Sequence, residues 1–199
     1  MRTLRICVFA TIAAVLITDG FALAVSPTVP PPLGWILTGS APQLYSSGID
    51  ANVHHDGAAV AYLISNQAPG EQFGTMMQEF SAKDYAGQRL SFSAYVKSDR
   101  VGRWACIWMR VDGAAGKMLA FDNMRDRPIK GTSDWKRYSV VLDVPADSQD
   151  IALGLLMNGQ GEVEISGITL STVSRDVPTT GGSTSPPLPP KPQNLDFSH

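Results

Sequence analysis

The chain has 199 residues, enough for one domain with appendages, and a formal net charge of −2 from 16 basic and 18 acidic side chains. That balance lacks the basic excess of a general nucleic-acid binder, so no nucleic-acid partner is expected. A hydrophobic fraction of 44% excludes a wholly disordered chain, and two cysteines exclude a disulfide scaffold.

The chain opens with the three parts of a secretory leader. Arg2 and Arg5 form a positive start, Ile6 to Ile17 is an apolar run, and Ala22-Leu23-Ala24 is a small-x-small cleavage site. The run falls short of the roughly 20 apolar residues that a spanning helix needs. Residues 1–24 are therefore expected to be a cleaved signal peptide and the protein to be exported, periplasmic or extracellular, with no membrane span after cleavage. Cleavage removes Cys7 and leaves Cys106 without a disulfide partner.

Proline marks the remaining boundaries. Residues 25–33 form a proline-rich arm, 34–174 a compact body, and 175–193 a Gly/Ser/Pro linker, in which flexibility gives way to polyproline stiffness. Residues 194–199 close the chain. Asn194-Leu195-Asp196-Phe197 alternates polar and apolar residues and is expected to dock as a short strand, or else to open a second module.

Within the body, nine short runs read as strands. They are Trp35–Thr38, Ala58–Ser65, Thr75–Ala82, Leu90–Ser98, Trp104–Val111, Met118–Met124, Lys136–Val144, Ile151–Met157 and Glu162–Ser171. Turn signals separate them at His55-Asp56-Gly57, Ala86-Gly87, Asp112-Gly113, Gly131-Thr132 and Asn158-Gly159. No stretch of the body keeps a helical period. Many short strands at regular spacing predict an all-β protein, an antiparallel β-sandwich or barrel.

Alternation assigns faces to several runs. Leu90, Phe92, Ala94 and Val96 read as core, as do Tyr138, Val140, Leu142 and Val144. In the run from Trp104, the residues Ala105, Ile107, Met109 and Val111 serve the core. That leaves Trp104, Cys106, Trp108 and Arg110 on the other face. Trp104, Trp108 and Arg110, with Tyr95, can form a binding face: flat rings stack on sugar C–H groups and a charged side chain orients hydroxyls. The alternative is that these tryptophans are packed under a second layer. Asp122 and Asn123 open a polar loop able to rim such a site, unless it is a solvated loop with internal Arg–Asp pairs.

Other constellations fail on geometry. His54 and His55 are adjacent, so on a strand they point apart, and His-Asp-Gly reads as a turn. No nucleophile elbow is present. Cys106 sits between apolar neighbours, where a thiol is inert packing. Glu162 and Glu164 share a strand face and read as solvated, not as a glycosidase pair. No catalytic residue, cofactor or metal site is predicted.

The strings GQRLSFSAYVKS, WACIWMRVDG, DWKRYSVVLDVP and DIALGLLMNGQGEVEISGITL, in that order, resemble the galactose-binding-like jelly rolls, which include many carbohydrate-binding modules of bacterial secreted enzymes. The resemblance covers roughly 34–174 and is strongest among uncharacterised secreted bacterial domains. It implies a jelly-roll β-sandwich, and not a particular ligand, because this fold hosts sugar binders and protein-binding accessories alike. Two departures stand out. Relatives place a strand like Asn-Leu-Asp-Phe-Glu before the Gly-Trp element, whereas here that string lies at 194–197. Many also carry an acidic pair near the end that holds calcium, where this chain has Ile165-Ser166-Gly167-Ile168. The sequence thus points to an exported, non-catalytic module binding a carbohydrate or similar polar ligand. The alternatives are a structural or protein-interaction domain without a small ligand, and, third, a small hydrolase.

Overall fold

A computed structural model describes residues 30–67 and 70–181. The expected signal peptide, the start of the proline arm, the later part of the linker and the 194–199 segment lie outside the described residues. Among the described residues the regular structure is strand, with two single-turn 3-10 segments and no α-helix.

The strands are β1 (Ile36–Gly39), β2 (Ser46–His55), β3 (Ala58–Ser65), β4 (Phe73–Ser81), β5 (Arg89–Asp112), β6 (Met118–Asp122), β7 (Ile129–Asp143), β8 (Asp150–Asn158) and β9 (Gly161–Val173). All pair antiparallel in one curled sheet, in the order β1-β4-β8-β5-β9-β3-β2, with β6 and β7 also pairing β5. The 24-residue β5 belongs to both halves of the curl. Its first part, Arg89 to Asp99, lies between β7 and β9; its second part, Trp104 to Asp112, lies beside β8 and β6. The halves therefore form two layers: β1-β4-β8-β5-β6 and β7-β5-β9-β3-β2.

Side-chain alternation fills the space between them. Leu90, Phe92, Ala94 and Val96 from one layer, and Ala105, Ile107, Met109 and Val111 from the other, have no exposed surface. On β8, Ile151, Leu155 and Met157 stand in register with the second set and are equally buried. The expected all-β jelly-roll sandwich is the architecture observed. Leu90–Ser98 and Trp104–Val111, read as two strands, are one. They are joined through Arg100 at φ 49° and through register shifts between Val96 and Ala105. β2 was not anticipated from sequence, because Ser46–His55 carries few apolar residues on either face. The turn expected at Gly131 is a positive-φ position inside β7.

The residues after β9 stay on the body as far as Gly181. Arg89 donates to the carbonyls of Arg175 and Val177 at 2.8 and 2.6 Å. Thr180 N–H donates to the Val141 carbonyl at 2.8 Å, and Val141 N–H donates to Thr180 Oγ1 at 2.7 Å. The first residues of the predicted linker thus run along β7.

Candidate ligand-binding face

The outer face of the β1-β4-β8-β5-β6 layer is built from two cross-strand rows. One row runs Ile36, Met77, Gly154, Trp108; the next runs Glu79, Ala152, Arg110, Phe121. Small residues at Gly154 and Ala152 leave a shallow floor between the larger side chains on β4 and β5. Gly154 is small because β4 passes so close that an added Cβ would lie 2.5 Å from the Met76 carbonyl.

Trp108 is only 8% exposed. Its indole crosses β8 to donate to Thr75 Oγ1 at 2.9 Å, and that hydroxyl donates on to the Leu155 carbonyl at 3.0 Å. Its other neighbour is the Phe121 ring, edge-on with centroids 6.4 Å apart. Trp108 is thus a floor residue fixed by a polar handle. Phe121, 37% exposed, is the ring offered to solvent. Arg110 stands beside Phe121 in register, its Nε donating to Asp112 Oδ2 at 2.7 Å. Trp104 is half-buried further along the same face of β5.

The remaining predicted residues are placed elsewhere. Tyr95 lies on the outer face of the opposite layer, because β5 has passed between layers before it reaches Trp104. There it contacts His55 (centroids 4.6 Å apart), with Arg137 over its ring at 5.3 Å. His55 also stacks on Trp135 at 4.4 Å, and Asp56 and Gly57 make the positive-φ turn that follows it. Asp122 is buried and structural. Its carboxylate accepts from Met124 N–H at 2.7 Å and from both terminal nitrogens of Arg127, the shorter bond at 2.5 Å. Burial opposes its ionisation, but the Arg127, Thr180 and Met124 hydrogen bonds prevail and hold its carboxyl below the usual range. Asn123 is half-buried in the turn after β6. Cys106 is fully buried between the two tryptophans on β5, and burial, reinforced by Asp122, pushes its thiol well up.

Sequence reasoning thus placed Trp104, Trp108 and Arg110 on one face and missed Phe121, Glu79 and Met77. Alternation within Met118–Met124 separates Phe121 from Asp122. Pairing of Phe121 with Arg110 has no signal in the sequence. Among the described residues, no cluster of three His, Cys, Asp or Glu has the geometry to hold a metal, and no helix is long and apolar enough to cross a membrane.

No protein-family profile matches the chain. It is 43% identical over 166 residues to the uncharacterized HTH-type transcriptional regulator YbfP of Bacillus subtilis (strain 168), a match covering 82% of this chain and 56% of the relative. The chain thus spans little more than half the length of that curated relative. Among solved structures, it is similar to the CBM22-1 xylan-binding domain of Paenibacillus barcinonensis Xyn10C, with a TM-score of 0.50 and 12% identity over 73% of this chain and 90% of that one. It is also similar to the enzymatically active domain of bacteriophage CBA120 tailspike protein 4, with a TM-score of 0.52 and 12% identity over 71% of this chain and 20% of that one. At such identities these likenesses speak for fold alone. By architecture, the described body is an antiparallel β-sandwich jelly roll, the fold of the xylan-binding domain to which it is similar.

Proposed function

We propose that this protein is a non-catalytic module that binds a carbohydrate, or a similarly polar ligand, on the outer face of the β1-β4-β8-β5-β6 layer. The observation that carries the reading is the row Glu79, Ala152, Arg110, Phe121. It sets an exposed ring next to a guanidinium, with a carboxylate beyond the guanidinium across the small floor residue Ala152. A sugar's C–H face stacks on an aromatic ring, while its hydroxyls bond to charged groups at the ring's margin. Phe121 is the stacking residue, Arg110 and Glu79 the orienting ones, Trp104 extends the face, and Trp108 supports it. Tyr95, Asp122 and Asn123 are left out of the site. The jelly-roll fold of xylan-binding modules supports the ligand class by analogy.

The test is titration of the protein against a panel of soluble polysaccharides, read by tryptophan fluorescence. Phe121→Ala is expected to weaken binding by about tenfold, the loss of roughly 1.4 kcal/mol, with the melting temperature unchanged. Absence of binding to every glycan, or equal affinity of the variant for one that does bind, overturns the reading.

The leader-like start supports export. Mass spectrometry of the protein from culture medium or periplasm is expected to find an N-terminus at Val25, and recovery beginning at Met1 overturns this. The likeness to a regulator favours a second reading, a ligand-sensing module. The described body has no α-helix, so it is not itself a helix-turn-helix. Accumulation of the protein in the cytoplasm with its leader intact favours this second reading.

A further inference from the structure

The inner face of the β7-β5-β9-β3-β2 layer is not covered along its whole length. Leu170 and Thr172 on β9 stand opposite Phe92 and Leu90, both fully buried, so they point inward, and Ile168 precedes them on the same face. Ile49 stands opposite Ala61, which in turn stands opposite the buried Ile165, so it too points inward. Yet Ile168 is 39% exposed, Ile49 is 53% exposed, and Thr172 lies open to solvent. Between this surface and the stretch from Pro32 to Trp35 runs an apolar groove of about 210 Å3, lined by Trp35, Ile49, Val60, Ala61, Ile165 and Ile168 among others.

The adjacent strand edge is open as well. β3 pairs with β9 only from Gly161 to Ile165; at the next residue, Ser166 Oγ donates to the Ala59 carbonyl at 2.9 Å. Past that point the side of β9 away from β5 pairs with no described strand. Inward-facing apolar side chains left uncovered beside an unpaired edge match the footprint of one short strand.

We infer that Asn194–Phe197 docks there in cis, as a short strand along β9 with Leu195 and Phe197 in the groove. Three properties of the chain select this occupant. First, Leu195 and Phe197 are two residues apart, so on a strand both point to one side. Second, ladder pairing needs backbone N–H groups. The segment preceding the groove carries Pro27, Pro30, Pro31 and Pro32, whereas no proline follows Pro192. Third, the reach suffices. Thr180 is bonded to Val141 on β7, with Gly181 following it against Asp122, and β7 lies two strands from β9, about 10 Å across the sheet. Residues 182–193, rich in proline, span up to roughly 37 Å at about 3.1 Å each, enough to round the edge of the body. This docking is independent of the ligand-binding reading, because the groove lies away from the Phe121 face.

The experiment compares amide exchange at 166–173 in the full chain and in the full-length double variant Leu195→Asp/Phe197→Asp. Loss of the dock is expected to speed exchange there by about tenfold or more, with exchange at β8 unchanged. Truncation after Lys191 is expected to do the same. Adding a synthetic peptide of residues 192–199 is expected to restore protection to the truncated chain and to shift Trp35 emission. Equal exchange in the full chain and the double variant overturns the proposal. So does protection that vanishes on dilution together with a dimeric mass, since the groove would then be filled by a second copy.

Discussion

Asp122 shows how a residue that looks like a ligand contact serves the fold instead. Its side chain is 2% exposed, and it ties the turn after β6 to Arg127, which also donates to the Ser139 carbonyl on β7 at 3.2 Å. A loop dense in hydrogen-bonding groups reads the same whether those groups face solvent or one another, so its sequence left both roles open. Asp122→Asn leaves Arg127 facing a neutral amide in a largely buried site. The variant is expected to lose about 2–3 kcal/mol of stability in urea denaturation, less than a fully buried pair would lose because Arg127 keeps partial contact with water. A loss below about 0.5 kcal/mol shows that the clip contributes little.

At the scale of elements, β8 is the strand on which the candidate face depends, and Gly154 is its tightest point. Gly154→Ala puts a Cβ against the Met76 carbonyl and Met77 Cβ. The change is expected to cost about 1–3 kcal/mol by forcing β4 outward, and to lower the thermal midpoint measurably. An unchanged midpoint shows that β4 yields freely. How much was legible in sequence differs from strand to strand. The alternation of Leu90 to Val96 and of Ala105 to Val111 assigned both core sets correctly, because burial on one side imposes a two-residue period. β2 was not legible: Asp50 to His54 contains a register shift that breaks the period, and His55 is held by rings on β5 and β7. The candidate face was half legible. Trp104, Trp108 and Arg110 share one strand, so their common side follows from spacing, whereas Glu79 and Phe121 join them through strand pairing. Tyr95 was misplaced because spacing along β5 does not reveal that the strand changes layers.

Across the molecule as a whole, buried and paired carboxylates are shifted in opposite directions. Asp143 lies below the usual carboxylate range through its hydrogen bonds from Arg89, at 2.8 and 2.9 Å, and Asp122 lies below it through Arg127, Thr180 and Met124. Depressed carboxyls stabilise the fold above their unfolded values, and that contribution is lost as the pH falls below about 4 through the folded values. Glu162 is shifted the other way, by burial and then by repulsion from Glu164 and Asp99. Its raised value means that the fold prefers it protonated, so its charged form opposes stability at neutral pH. Glu162→Gln is therefore expected to raise the melting temperature slightly at pH 7 and to change it little near pH 4, in melts run at both. A lowered midpoint at pH 7 refutes the sign. The passage of β5 between layers has one more consequence. Its inward residues are even-numbered before the crossing, Leu90 to Val96, and odd-numbered after it, Ala105 to Val111. The stretch around Arg100 and Gly102 therefore acts as a phase shifter that inserts an odd step. Removing Gly102 would take out that odd step while leaving Ile107 inward and Arg110 outward, so what is lost is the extra residue that carries the strand between layers. That deletion is expected to lower the melting temperature by straining the crossing, while a glycine reinserted between Asp99 and Arg103 brings it back; an unchanged midpoint shows that the crossing does not need the extra residue.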